Sequence, residues 1–184
     1  MSEQPETQSI AANGAPAIEI RNLRYAYAGG PEVLNIPEFR MERGQHAFLY
    51  GPSGSGKTTL LGLIAGVLEV QQGNLKVLGT DLGSLSPAKR DAFRSTHLGY
   101  IFQLFNLITY LSVEENIILP CQVSAERRSR LNGTDMRSEA RRIATHLGLE
   151  PYLQRNVLQL SVGQQQRVAA ARAMIGSPAL MIAD

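Results

Sequence analysis

The sequence predicts an α/β fold in three parts: a mixed core around a glycine-rich loop, an antiparallel β layer, and a helical subdomain from about Thr109 to Leu160. Three observations carry that prediction. Gly51-Pro-Ser-Gly-Ser-Gly-Lys-Thr58 lies between an apolar run of strand character, Ala47-Phe-Leu-Tyr50, and one of helical character, Thr59-Leu-Leu-Gly-Leu-Ile-Ala-Gly-Val-Leu68. From Ile18 onward apolar and polar residues alternate, the period of a strand. Beyond Gln103 the apolar spacing becomes that of helices.

Taken in order, residues Met1 to about Ala17 are small and polar with almost no large apolar side chain, so a disordered lead-in is expected. Ile18-Glu-Ile-Arg-Asn-Leu23 begins a strand whose alternation continues through Tyr25 and Tyr27, and Gly29-Gly30-Pro31 turns the chain. Val33 to Ile36 and Glu38 to Met41 read as two further strands. Gly73-Asn-Leu-Lys-Val-Leu-Gly79 is a strand closed by a glycine turn. Ser86 stands as N-cap with Pro87 at the first helical position of a short helix, and Leu98-Gly-Tyr-Ile-Phe102 is a strand running into Gln103. Ser112-Val-Glu-Glu115 has capping-box spacing, and Met136 to Leu147 carries apolar residues at helical intervals. The arginine-rich section from Ser124 to Arg142 reads as a solvated face.

Composition narrows the function classes. A chain of 184 residues suits a single domain or one core with a subdomain. Its net charge of +2 sets up no field for nucleic acid, so no nucleic-acid partner is expected. The single cysteine, Cys121, excludes an internal disulfide and fits a reducing compartment; ordinary packing is its expected role. No apolar run approaches the ~18 residues that cross a bilayer, and no secretory signal is present, so a soluble, cytoplasmic chain is expected. His46, His97 and His146 lack metal-ligand spacing and are read as structural or surface residues.

The glycine-rich loop carries the chemistry. It fits G-x-x-x-x-G-K-[ST], in the strand-before, helix-after context that the phosphate-binding loop requires. Glycines let several N–H groups point inward, and a helix N-terminus adds partial positive charge. Lys57 is placed to reach β- and γ-phosphates, and the Thr58 hydroxyl to ligate Mg²⁺. The sequence therefore predicts binding of a nucleoside triphosphate. A second stretch, Leu160-Ser-Val-Gly-Gln-Gln-Gln-Arg167, places Ser161 and Gln164 at N-cap and N3 spacing, with Gly163 leaving room for an anion at the helix amides. Alone it reads equally well as a well-capped helix.

Together the two stretches resemble the ATP-binding subunit of an ABC transporter. The resemblance runs from Ile18 to Asp184, with motifs in family order. Gly51, Pro52, Ser53, Gly54, Ser55, Gly56, Lys57 and Thr58 match the Walker A loop, with Thr59 following; Gln103 matches the Q-loop glutamine. Leu160 to Gln164 matches the signature, usually Leu-Ser-Gly-Gly-Gln, and Leu180-Met-Ile-Ala-Asp184 matches Walker B. Tyr27 stands where such subunits carry an adenine-stacking aromatic, with Tyr25 as the competing candidate. Two departures stand out. Val162 replaces the first signature glycine, and the family continues past the position of Asp184 with a catalytic glutamate, a D-loop and a switch histidine.

The resemblance implies a RecA-like P-loop NTPase core and an ATPase that uses ATP and Mg²⁺. Two copies, or a pair of such subunits, would face head to tail, each binding nucleotide with Tyr27 and the Walker A residues. Thr58, Gln103 and Asp184 would hold Mg²⁺, Gln103 and Asp184 being the catalytic pair present in this chain. Ser161, Gly163 and Gln164 would meet the partner's nucleotide. Without that glutamate, the chain is expected to bind ATP and to hydrolyse it poorly. A transmembrane permease subunit is the implied partner, and the cytoplasmic face of the inner membrane the implied location. Tyr100 to Pro120 is similar to the lipoprotein-releasing and macrolide-export group, implying export or extrusion of an envelope substrate. Two rivals fit parts of the sequence: a soluble ABC-type ATPase without a membrane partner, and a non-hydrolysing nucleotide sensor. A P-loop kinase or GTPase does not require the stretch from Leu160 to Arg167.

Overall fold

The computed structural model describes residues 14–184; most of the expected lead-in, residues 1–13, lies outside the described residues. Ala17 at its end is buried, and its carbonyl accepts from the Leu78 amide at 2.9 Å.

The N-terminal strands form an antiparallel sheet in the order β2-β1-β3-β4, from β1 (Ile18–Ala26), β2 (Glu32–Met41), β3 (Gln72–Val77) and β4 (Thr80–Asp81). The two short strands expected on either side of Pro37 are one strand. Pro37 is tolerated because β2 is the sheet edge, where a missing N–H need not break a ladder. Apolar phasing in β1 shifts midway: Ile18 and Ile20 are buried, then Leu23 and Tyr25. Asn22 makes that shift in a left-handed conformation (φ 50°), where the β1–β3 register is irregular. Gly73 is the answering residue on β3: at φ 88°, a Cβ there would lie 2.2 Å from the Asn22 carbonyl oxygen.

Helix α1 (Lys57–Ile64) starts earlier and ends sooner than the apolar run implied. Helix α2 (Pro87–His97) is longer than expected; Ser86 occupies the N-cap position but its hydroxyl makes no capping bond. Strands β5 (Leu98–Ile101) and β6 (Leu180–Ala183) pair in parallel, Leu98 opposite Leu180 and Ile101 opposite Ala183. Parallel strands need a crossover, and here it holds α3 (Val113–Val123), α4 (Ala125–Ser129), α5 (Met136–His146) and α6 (Val162–Met174). Ser112 and Glu115 close the expected capping box on α3.

Two apolar cores result. Ile20, Leu23, Leu63, Leu75, Leu82 and Leu98 belong to one, between the antiparallel sheet, α1 and β5. Val113, Ile117, Ala140, Ile143, Val168 and Ile175 belong to the other, among the crossover helices. Arg127 corrects the solvated-face reading: it is 3% exposed, and its guanidinium donates to the Leu98, Ala173 and Ile175 carbonyls, joining α4 to β5 and the end of α6. Ala47 to Tyr50, expected as a strand, forms none. A strand exists by its ladder to a neighbour. Here a cleft of about 730 Å³, lined by Ala47, Phe48 and Leu49 and by Leu180, Met181 and Ile182, separates the run from β6. Phe48 and Tyr50 stand fully exposed.

Candidate nucleotide-binding site

The glycine-rich loop runs into α1, whose N-cap, Gly56, supplies no side-chain cap. The first amides of a helix have no intrahelical acceptor, so this N-terminus is open to an anion. Gly56 is required twice over. Its φ is 86°, and a Cβ would lie 2.7 Å from Leu34 Cδ2 and 3.1 Å from the Val33 carbonyl oxygen on β2. Lys57 Nζ donates to the Gly51 carbonyl at 2.9 Å and the Pro52 carbonyl at 2.8 Å, with Ser55 Oγ at 3.5 Å. The ammonium thus closes the loop on itself, where an incoming phosphate would compete with those carbonyls.

Parallel pairing with β5 delivers the end of β6 to this loop. The Thr58 hydroxyl donates to Asp184 Oδ1 at 2.9 Å. Tyr27 and Thr59 hydroxyls lie 3.0 Å apart. The β1–β2 register shifts between Tyr25 and Ala26, so the expected common face is lost. Tyr25 is buried, Tyr27 is half-exposed, and their rings meet edge-on at 5.2 Å. Tyr27 therefore faces the site and Tyr25 the core.

A cleft of about 560 Å³ gathers Tyr27, Ser53, Gly54, Gly56, Lys57, Thr58, Thr59, Gln103 and Asp184. Gly51, Pro52 and Ser55 contribute through their contacts with Lys57. Val33 also lines the cleft, a residue that sequence reasoning passed over because nothing in a strand pattern marks it. The hydroxyl of Thr58, the carboxylate of Asp184 and the amide of Gln103 are an all-oxygen donor set of the kind Mg²⁺ takes. No cluster of three or more His, Cys, Asp or Glu side chains suited to a metal exists among the described residues.

Ser161, Gly163 and Gln164 are not among the residues lining this cleft. They form the N-terminus of α6, closed by a reciprocal capping box: Gln164 N donates to Ser161 Oγ at 3.3 Å, and Ser161 N donates to Gln164 Oε1 at 2.8 Å. A Cβ at Gly163 would meet nothing within 4 Å, and Val162 is 71% exposed. Nothing among the described residues requires glycine at 163, and the valine side chain at 162 stands largely exposed.

A phosphate-binding loop backed by a carboxylate-bearing strand defines the class: a nucleotide-binding α/β protein. Comparison with known proteins makes this specific. Residues 34–184 match the ABC transporter family model, and the chain belongs to that family. It is 37% identical over 172 residues to the lipoprotein-releasing system ATP-binding protein LolD 2 of Rhodospirillum rubrum, covering 92% of this chain and 73% of that protein. It is equally 37% identical over 170 residues to the macrolide export ATP-binding/permease protein MacB of Syntrophobacter fumaroxidans, covering 91% of this chain and 23% of that one. The dimeric structure of MJ0796, a bacterial ABC transporter cassette, matches with a TM-score of 0.81 at 30% identity, over 91% of this chain and 73% of that one. A dimeric post-hydrolysis structure of the same cassette, bound to ADP and Pi, matches with the same TM-score. The chain is accordingly an ATP-binding transport subunit of an ATPase family. No helix among the described residues is long and apolar enough to cross a membrane.

Proposed function

We propose that this chain binds Mg-ATP between Lys57, Thr58, Gln103 and Asp184, and that its α6 N-terminus serves the nucleotide of a second, head-to-tail copy or paired subunit. The contact that carries the reading is the 2.9 Å bond from the Thr58 hydroxyl to the Asp184 carboxylate, beside a lysine held on its own loop carbonyls. Bound Mg²⁺ would supply charge neutralisation at the β- and γ-phosphate oxygens. Thr58 and Asp184 supply oxygen ligands, Gln103 orients its amide toward the same cleft, and Lys57 leaves its carbonyls for phosphate. The Gly51–Gly56 backbone and the open α1 N-terminus cradle phosphate oxygens, and the exposed Tyr27 ring offers a face to the adenine.

The open space at Gly163 supports a partner-facing role for Ser161, Gly163 and Gln164, since close approach from outside is what a missing side chain there permits. The likeness to lipoprotein-releasing and macrolide-export proteins supports a permease partner, work on envelope substrates, and a place at the cytoplasmic face of the membrane. In this scheme α3, α4 and α5 make up the helical subdomain of about 109–160, and the antiparallel sheet the β layer.

Titration calorimetry tests the site. Lys57→Ala should weaken ATP binding by about 100-fold, the scale of a charge-assisted phosphate contact and its neighbours. Asp184→Asn should lose the Mg²⁺-dependent part of the affinity and keep the rest. Unchanged affinity in Lys57→Ala would overturn the loop assignment.

A further inference from the structure

Gln103 sits at the start of a loop with unusual backbone geometry. Phe105 (φ 60°) and Asn106 (φ 46°) are consecutive non-glycine residues in the left-handed region. Such conformations persist only where the surroundings over-determine them. Local bonds supply part of that: the Phe105 amide donates to the Phe102 carbonyl at 2.8 Å, and the Asn106 amide to the Leu104 carbonyl at 2.7 Å. The rest comes from α6. Arg172 Nη1 donates to the Asn106 carbonyl at 2.7 Å, and Nη2 donates to the Phe105 carbonyl at 2.5 Å. A planar guanidinium spans two adjacent carbonyls as a point charge cannot. Burial holds the Arg172 pKa below the usual arginine value. A cation in the last turn of a helix ordinarily serves its own C-terminal carbonyls; this one serves a different segment.

We propose that Arg172 is a positioning residue for Gln103: it locks the 105–106 turn to α6 and so fixes where the Gln103 amide stands relative to Thr58 and Asp184. This rests on the Mg-ATP reading above. Because Arg172 lies ten residues beyond Val162 on one helix, about 15 Å along its axis, α6 connects two functions. Its capped N-terminus carries Ser161 and Gly163, and its C-terminal turn grips the glutamine loop.

The test uses the chain with Arg172→Ala, Arg172→Lys, Gln103→Ala and the Ala/Ala double variant, titrated with ATP with and without Mg²⁺. Expected for Arg172→Ala is Mg-free ATP affinity within about twofold of wild type, and a loss of about tenfold in the gain that Mg²⁺ brings, as a mispositioned glutamine lowers the competent fraction. Gln103→Ala should give the same loss, the double variant no further loss, and Arg172→Lys a partial rescue. Equal losses with and without Mg²⁺, additivity in the double variant, or an unchanged Mg²⁺ gain would each overturn the proposal. A second arm needs no nucleotide. Amide hydrogen exchange at Phe105 and Asn106 should speed at least tenfold in Arg172→Ala while amides in the middle of α6 stay as in wild type. If Mg²⁺ adds nothing in wild type, the metal reading has failed, and this arm still decides whether Arg172 holds the loop; unchanged exchange sinks it.

Discussion

Replacing Arg127 is the most demanding perturbation of this fold. The side chain is 3% exposed, and no carboxylate pairs with it among the described residues. Its Nε donates to the Ile175 carbonyl at 3.0 Å, Nη1 to Leu98 at 3.0 Å, and Nη2 to Ala173 and Ile175 at 2.7 Å each. Burial pushes its pKa down, a sign of the desolvation the guanidinium bears. Arg127→Ala orphans three carbonyls at roughly 1–3 kcal/mol each and removes the packed stem, while relieving several kcal/mol of ion desolvation. The net expectation is a loss of about 3–5 kcal/mol, a large share of the ~5–15 kcal/mol that holds a domain. Arg127→Lys, a point charge unable to reach three separated carbonyls, should lose about 2 kcal/mol. Arg127→Met restores the stem without the donors and should lose about 3 kcal/mol. Urea unfolding reads all three as a lower midpoint at unchanged slope. An Arg127→Met variant as stable as wild type would show that the bonds only cancel the desolvation, and the reasoning would fail.

Other positions give independent checks. Asn116, fully buried, accepts from the Ile108 amide at 2.8 Å and donates to the Ile108 and Ser112 carbonyls at 3.0 Å, so Asn116→Ala should cost about 2–3 kcal/mol by thermal melting. Gly73→Ala drives a methyl into the Asn22 carbonyl and should cost about 3 kcal/mol in urea, with nucleotide affinity per folded molecule unchanged. His97 has its pKa lowered by burial, so the unfolded chain takes up a proton first as pH falls. Its contribution is complete above about pH 6.5 and is lost as pH drops toward the folded value. His97→Gln should flatten that part of a stability-versus-pH curve, and an unaltered curve would count against the burial argument.

The glycine loop, the Gln103 strand, both capping boxes and the β6 aspartate were legible because each rests on local chemistry: a spacing, a cap, an alternation. What escaped was set by distant neighbours. Asn22 re-phases β1 only because Gly73 on another strand makes room for its carbonyl. Tyr25 and Tyr27 part company at a register shift that strict alternation does not contain. Arg127 and Arg172 look like any surface arginines, since the backbone carbonyls that hold them carry no side-chain signature. Ala47 to Tyr50 has every property of a strand except a neighbour, and pairing is not a property of one segment.

The gap between that segment and β6 has a bearing on handling and on assembly. The apolar lining there includes Ile36, Phe39 and Leu61, with the Phe48 ring uncovered beside them and Tyr50 exposed next along the chain. Aromatic rings left in water favour self-association, so light scattering should climb with concentration and climb less in a Phe48→Ser variant.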